Sequence, residues 1–230
     1  MTEYGPLVDP TDVPAWMSKL VEATGNVDNG AFRRWGPPAG ATVRDAAVLI
    51  LLGEGPNGPD VLLLLRSDDL GSHAGQVAFP GGKTDDGDDG PVGTALREAV
   101  EETGVLPEGV RPVAVMPPLY VDVSGFLVTP VLAHWREPSP VRAVDPAETA
   151  AVARIPVDHL ADPANRFRVR HPRGFVGPAF SAPDMLVWGF TAGLLAGVLA
   201  LGGWERPWDQ ADVRDLDVAW RSIRRGGGLA

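Results

Sequence analysis

Between Phe79 and Val105 the chain reads FPGGKTDDGDDGPVGTALREAVEETGV, and few local folds accommodate that order of residues. Gly81-Gly82 ends a short apolar segment with backbone stripped of side chains. Gly90-Pro91 suits a helix start, because the N–H that proline lacks is unsatisfied in the first turn anyway. Gly104 follows as a stop, free to take the left-handed conformation that ends helices. Between them Leu96, Ala99, Val100 and Thr103 supply an inward face, while Glu98, Glu101 and Glu102 stand at i, i+3 and i+4 along an outward edge. The spacing predicts a strand, a loop, a helix from Pro91 to Thr103, and a stop.

Like charges that close repel one another, and a glutamate-rich helix edge alone reads as a solvated face. Set behind a bare glycine turn, the same three carboxylates read as oxygen ligands for Mg2+ or Mn2+ held against a diphosphate. The nearby Asp85, Asp86, Asp88 and Asp89 do not form a calcium loop, since neither Gly87 nor Gly90 has ligands at the required offsets.

Arg97-Glu98-Ala99-Val100-Glu101-Glu102-Thr103-Gly104-Val105 resembles the second half of the Nudix box, R-E-U-x-E-E-x-G-U with U apolar. The first half departs from it. Counting on from Gly82, Asp88 stands where the box has glutamate, and eight residues separate it from Arg97 where the box has seven. This longer, aspartate-bearing form resembles the coenzyme A pyrophosphatase branch. Upstream, Arg66-Ser67, Gly75 and Phe79-Pro80-Gly81-Gly82 fall in register with that branch's signature, but its second arginine is Gly71 here. Glycine offers none of the charge-assisted bonds an arginine gives a phosphate. Trp188-Gly189-Phe190-Thr191-Ala192 and the loop Asp162 to Arg166 also resemble segments of the branch, so the likeness spans residues 44 to 205.

The remaining chain reads as α/β. Apolar runs from Ala46 to Leu52 and from Val61 to Leu65 flank Gly53 to Pro59, a hairpin with a loose turn. Gln76 to Phe79 leads into the glycine turn, and further strands are expected at Val110 to Met116, Phe126 to Ala133 and Thr149 to Ile155. An αβα sandwich around a mixed β-sheet accounts for the alternation, and the Nudix resemblance implies the same. Residues 1–43 then form an N-terminal extension packed on the domain, and 206–230 a C-terminal extension whose Gly226-Gly227-Gly228 tail frays.

A net charge of −10 argues against a nucleic-acid partner, and bound cations would reverse the sign an anionic substrate meets at the glutamates. The first residues lack the pattern of a signal peptide. There is no cysteine, hence no disulfide or thiol chemistry, and a cytoplasmic location is the expectation. From Met185 to Trp204 twenty residues carry no charge, about the length of a membrane span, with Gly189, Gly193 and Gly197 in a doubled G-x-x-x-G. The flanking Asp184 and Glu205 and the abundance of glycine favour a buried helix instead. Its glycine stripe would admit close approach by a core element or by a second copy in a homodimer. Trp188, Trp204, Trp208 and Trp220 are expected as core or interface anchors.

The resemblance implies a division of roles. The Gly82 carbonyl with Glu98, Glu101 and Glu102 would hold one to three cations, which orient the diphosphate and activate water for in-line attack on phosphorus. Arg97 would brace the loop, and Glu98 would also assist deprotonation. Glu148 is a general base, a fourth carboxylate ligand, or an exposed loop residue. Arg66, Ser67 and Phe79 fall in the substrate-binding signature, with Arg66 otherwise a strand-end ion pair; His73 contacts phosphate or is a polar surface group. The expected substrate is coenzyme A or an acyl form; alternatives are ADP-ribose, NADH or a nucleoside triphosphate, or a silent ligand-sensing module.

Overall fold

The computed structural model describes residues 4–27, 37–38, 40–70 and 73–226. Gly71, at the missing signature arginine, and the tail from Gly227 lie outside them. A nine-stranded mixed sheet runs through the middle, in the order β1-β6-β8-β2-β3-β4. Its strands are β1 (Gly5–Pro6), β2 (Arg44–Gly55), β3 (Gly58–Arg66), β4 (Val77–Ala78), β5 (Gly81–Lys83), β6 (Val110–Val115), β7 (Leu119–Val121), β8 (Phe126–Trp135) and β9 (Thr149–Pro156). On the flanks β5 pairs β2, β7 pairs β8 and β9 pairs β3. β2 and β8 are parallel over their whole paired length, from Arg44↔Phe126 to Leu52↔His134.

Alternation along β2 sorts the core into layers. Ala47, Leu49 and Leu51 face one side, where Ala95 and Ala99 of α2 (Gly90–Thr103) cover them. Ile50 and Leu52 face the other side, against Met17, Leu20 and Val21 of α1 (Ala15–Thr24) and Leu195, Val198 and Leu199 of α4 (Gly189–Gly202). The result is an αβα sandwich around a mixed sheet, as the alternation of elements predicts.

The β2–β3 hairpin is tighter than expected. Pairing continues to Gly55↔Gly58, so only Pro56 and Asn57 form the turn, closed by Gly58 at φ +90°. Gly55 belongs in the strand because a Cβ there would fall onto the Asp60 carboxylate, which ion-pairs with Arg154 at 2.8 Å.

A second, four-stranded sheet, β12-β11-β10-β13, lies beyond the first. It comprises β10 (Arg166–Arg170), β11 (Val176–Ala182), β12 (Met185–Val187) and β13 (Val213–Asp215). The short helix α3 (Val157–Ala161) leads into it from the main sheet. One face of the small sheet sends Phe180, Ala182 and Val187 into the core shared with α1 and α4. The other packs Phe167, Val169, Ala179 and Leu186 under Leu216 and Ala219 of α5 (Leu216–Gly226).

The apolar run from Met185 to Trp204 is thus two elements, a three-residue strand and a fourteen-residue helix, divided at Gly189 with φ +66°. No helix among the described residues is long and apolar enough to cross a membrane. The glycine stripe does not serve close packing within the described chain. A Cβ at Gly193 or Gly197 would meet no described atom within 4 Å. Both glycines instead border an apolar recess of about 110 Å³, with Met116, Leu119 and Phe190 on its walls.

Candidate active site

The turn Phe79-Pro80-Gly81-Gly82 is built into the sheet. β2 pairs with β3 through its last residues but with β5 through its first, Val48↔Gly81 and Ala46↔Lys83. The far end of β3 pairs with β4, Leu64↔Ala78. The segment therefore wedges between two diverging strands, and Leu49 N–H donates to the Pro80 carbonyl at 2.8 Å. Only glycine fits at the tip, because a Cβ on Gly81 would strike the Ala47 carbonyl oxygen and lie 2.7 Å from Val48 Cα.

That bare backbone is met by two carboxylates from α2. Gly81 N–H donates to Glu102 Oε2 at 2.9 Å, and a Cβ on Gly82 would collide with the Glu98 carboxylate. Helix spacing predicts outward glutamates, yet Glu102 is only 9% exposed, turned into the protein by its place beside Thr103 and Ala99. Burial pushes its carboxyl up to about 7; the Gly81 N–H opposes the rise, and the negative charge of Glu98 adds to it. Burial raises Glu98 as well, against the pull of Arg97.

Arg97 ties the loop to the helix. Its Nε and Nη2 grip Asp88 at 2.8 and 3.0 Å, Nη2 also donates to the Lys83 carbonyl at 3.0 Å, and Nη1 reaches Glu98 at 2.9 Å and Glu101 at 3.0 Å. Asp88 also accepts from Thr94 Oγ1 and from the Asp85 N–H, both at 2.9 Å, and the Arg97 guanidinium holds it well below the usual carboxylate range. The longer loop thus still delivers a carboxylate to this arginine.

The glutamates divide their directions: Glu98 and Glu102 point at the glycine turn, whereas Glu101, with its side chain 57% exposed, lies on Arg97. Among the described residues no three acidic or histidine side chains already converge as a metal cluster. The donors nonetheless suit a hard divalent cation, being carboxylate oxygens, with Glu102 drawn out of water beside exposed backbone.

Beside the wedge, on the face of β2 that carries α1 and α4, lies a cleft of about 590 Å³. Among the described residues Arg44, Arg66, Lys83 and His73 line it, and no carboxylate does. In a chain of net charge −10 this basic lining is a local reversal of sign. Arg66 approaches Glu102 at 4.0 Å, linking cleft and carboxylates. Phe79 and His73 line the same space, His73 at φ +56° with Nδ1 3.1 Å from Gln76 Oε1. Ser67 stays outside it: only 5% exposed, it uses its hydroxyl to accept the Asp69 N–H at 3.3 Å. Glu148 is brought alongside, its carbonyl accepting the Ser67 N–H at 2.9 Å, and its charge adds to the rise at Glu102.

Two lining residues carry no sequence signal of a place in the site. Arg44 and Phe126 begin two apolar strands and meet only because β2 and β8 pair in parallel at that register. Thr191, bonded to the Val77 carbonyl at 2.9 Å, brings the start of α4 to the cleft wall.

Comparison with known proteins places the chain in a family. The NUDIX domain model matches residues 42–173. The chain is 40% identical over 170 residues to "Uncharacterized Nudix hydrolase NudL" of Cronobacter sakazakii, covering 71% of this chain and 85% of that protein. The Escherichia coli K12 protein of the same name is 40% identical over 159 residues, covering 66% and 79%. A crystal structure of a Nudix hydrolase from Alicyclobacillus acidocaldarius is similar at 19% identity and a TM-score of 0.46, covering 70% of this chain and 93% of that one. The chain belongs to the Nudix hydrolase family. Nudix hydrolases generally use divalent metal ions.

Proposed function

We propose that this enzyme hydrolyses the diphosphate of coenzyme A or its acyl thioesters, yielding 3′,5′-ADP and the corresponding phosphopantetheine. The observation that carries the reading is the pair of glutamates, buried Glu102 and half-buried Glu98, closing on Gly81-Gly82 at the edge of a basic, nucleotide-sized cleft. The branch signature, Arg66-Ser67 through Phe79-Pro80-Gly81-Gly82, supports the substrate.

Glu98, Glu101, Glu102 and the Gly82 carbonyl are the proposed ligands of Mg2+ or Mn2+. The cation supplies charge neutralisation of the diphosphate and acidifies water. The protein's own groups do the rest. Arg97, anchored on Asp88, keeps loop and helix in register. Arg66 and Phe79 position the substrate at the wedge. Glu98, or Glu148 from the neighbouring loop, takes the proton from the attacking water. The water oxygen bonds to one phosphorus, the bridging P–O bond breaks, and its electron pair leaves with the other phosphate.

Product analysis by mass spectrometry, with coenzyme A, ADP-ribose and NADH offered separately in Mg2+ or Mn2+, tests the reading. Fastest release of 3′,5′-ADP from coenzyme A is expected. Cleavage of the other two alone would replace the substrate and keep the chemistry. Silence on all three would favour a sensor.

A further inference from the structure

The basic cleft carries more positive charge than a diphosphate beside a cation needs. Arg66 already stands at the carboxylates. Arg44 and Lys83 lie elsewhere in the lining: Ala46, two residues along β2 from Arg44, pairs directly with Lys83, so both side chains rise from the same face. Arg44 is fixed in orientation. Its guanidinium carbon lies over Phe126, 4.1 Å from the ring centroid, and Nη2 donates to the Ser124 carbonyl. Among the described residues no carboxylate pairs with it, which leaves the other edge of a five-donor fork directed at solvent. Lys83 is held only by an exposed contact to Asp85 at 3.8 Å, an ion pair of little strength.

We infer that Arg44, with Lys83 beside it, is a specificity-determining site for a phosphomonoester carried by the substrate in addition to its diphosphate. A planar fork held by stacking matches phosphate oxygens two at a time, and its order is already established before the ligand arrives. It supplies the cleft with a cation in a chain that has Gly71 where the branch signature has its second arginine. The inference rests on the reading of a nucleoside diphosphate substrate and narrows it to those bearing a separate phosphate.

The test compares coenzyme A with dephospho-coenzyme A in turnover, and 3′,5′-ADP with 5′-AMP in calorimetric binding to the metal-free protein. Wild type should favour the phosphorylated member of each pair by about tenfold or more. Arg44→Met should bring both ratios to within about twofold, through KM on coenzyme A and not kcat, with dephospho-coenzyme A unaffected; Arg44→Lys should restore part of the preference. Equal losses on both substrates, or a preference that survives Arg44→Met, would overturn the assignment. The two arms also separate this inference from the proposed reaction. If neither coenzyme is cleaved yet 3′,5′-ADP binds better through Arg44, the phosphate site stands and the substrate reading falls. If both coenzymes are cleaved alike and the two nucleotides bind alike, the reverse holds.

Discussion

At Glu102 a carboxyl whose ordinary value is 4.5 is pushed by burial to about 7, so between those values the folded chain keeps a proton that the unfolded chain has released. Stability of the metal-free protein should therefore fall as pH rises from about 4.5 to about 7 and then level off, by at most about 3 kcal/mol. Asp88 works in the opposite sense: held low by Arg97, its contribution is present above 3.8 and is lost only as pH drops well below that value. Denaturant titrations in chelator at pH 5 and pH 8 read the first effect, and Glu102→Gln should flatten it. A wild-type curve level across that interval would show that Glu102 ionises normally. The same variant should abolish turnover while leaving the fold intact; undiminished hydrolysis would remove Glu102 from the site. Cation binding should also release protons at pH 6 and almost none at pH 8, seen by calorimetry in two buffers of different ionisation enthalpy. In the sequence Glu102 is legible as a candidate ligand by its spacing, but its burial is not. Helical periodicity places a residue on an edge, and the depth of that edge depends on how far the Gly81 turn reaches under the helix.

The helix α2 keeps the ends that its sequence announces. It runs from Gly90 to Thr103, and Gly104 at φ +67° returns its N–H to the Val100 carbonyl at 2.9 Å. Gly104→Ala should cost about 1–2 kcal/mol in denaturant unfolding, the strain of a left-handed alanine, with little change in KM. A loss much below that would mean the helix end relaxes. The inward face is less legible: Ala95 is fully buried, whereas Val100, expected inside, is 36% exposed. Apolar character marks a stripe wider than the contact surface, and small Ala95 and Ala99 are what let the helix lie close on β2. The loop in front shows the reverse difficulty. Asp88 stands at the wrong spacing for the box, yet it reaches Arg97 because the added residue is taken up in the loop. Asp88→Asn should weaken that grip and lower kcat while the fold persists, since Thr94 and the Asp85 N–H can still be accepted by the amide oxygen.

Across the whole molecule the longer strands of the main sheet are visible as apolar runs, whereas its short strands β1, β5 and β7 and the whole second sheet are not. β13 is a short, mostly exposed Val213–Asp215 segment whose partner β10 precedes it by 45 positions, Arg168↔Val213, in a parallel pairing that leaves no local signature. What fastens the C-terminal segment is Arg166, 3% exposed. It ion-pairs with Glu205 at 3.2 Å, and its guanidinium lies over the rings of Phe180 and Trp208, at 5.2 and 4.7 Å from their centroids. Glu205→Gln should cost about 1–3 kcal/mol, because it strips a buried cation of its counter-charge. Unfolding free energies of the two proteins measure it, and equal values would mean the aromatic rings alone hold the guanidinium.

The parallel pairing of β2 with β8 has a consequence in time. Arg44 reaches the Ser124 carbonyl across 80 residues of chain, and it is this ladder that gives the cleft its second wall. The β2–β3 hairpin and α2 rely on neighbours close in sequence and can form early, but joining β8 to β2 demands the closure of a long loop. On a ribosome the carboxylates and the glycine turn are already made when Phe126 has yet to emerge. The chain should thus acquire its catalytic edge before it acquires the surface that chooses a substrate.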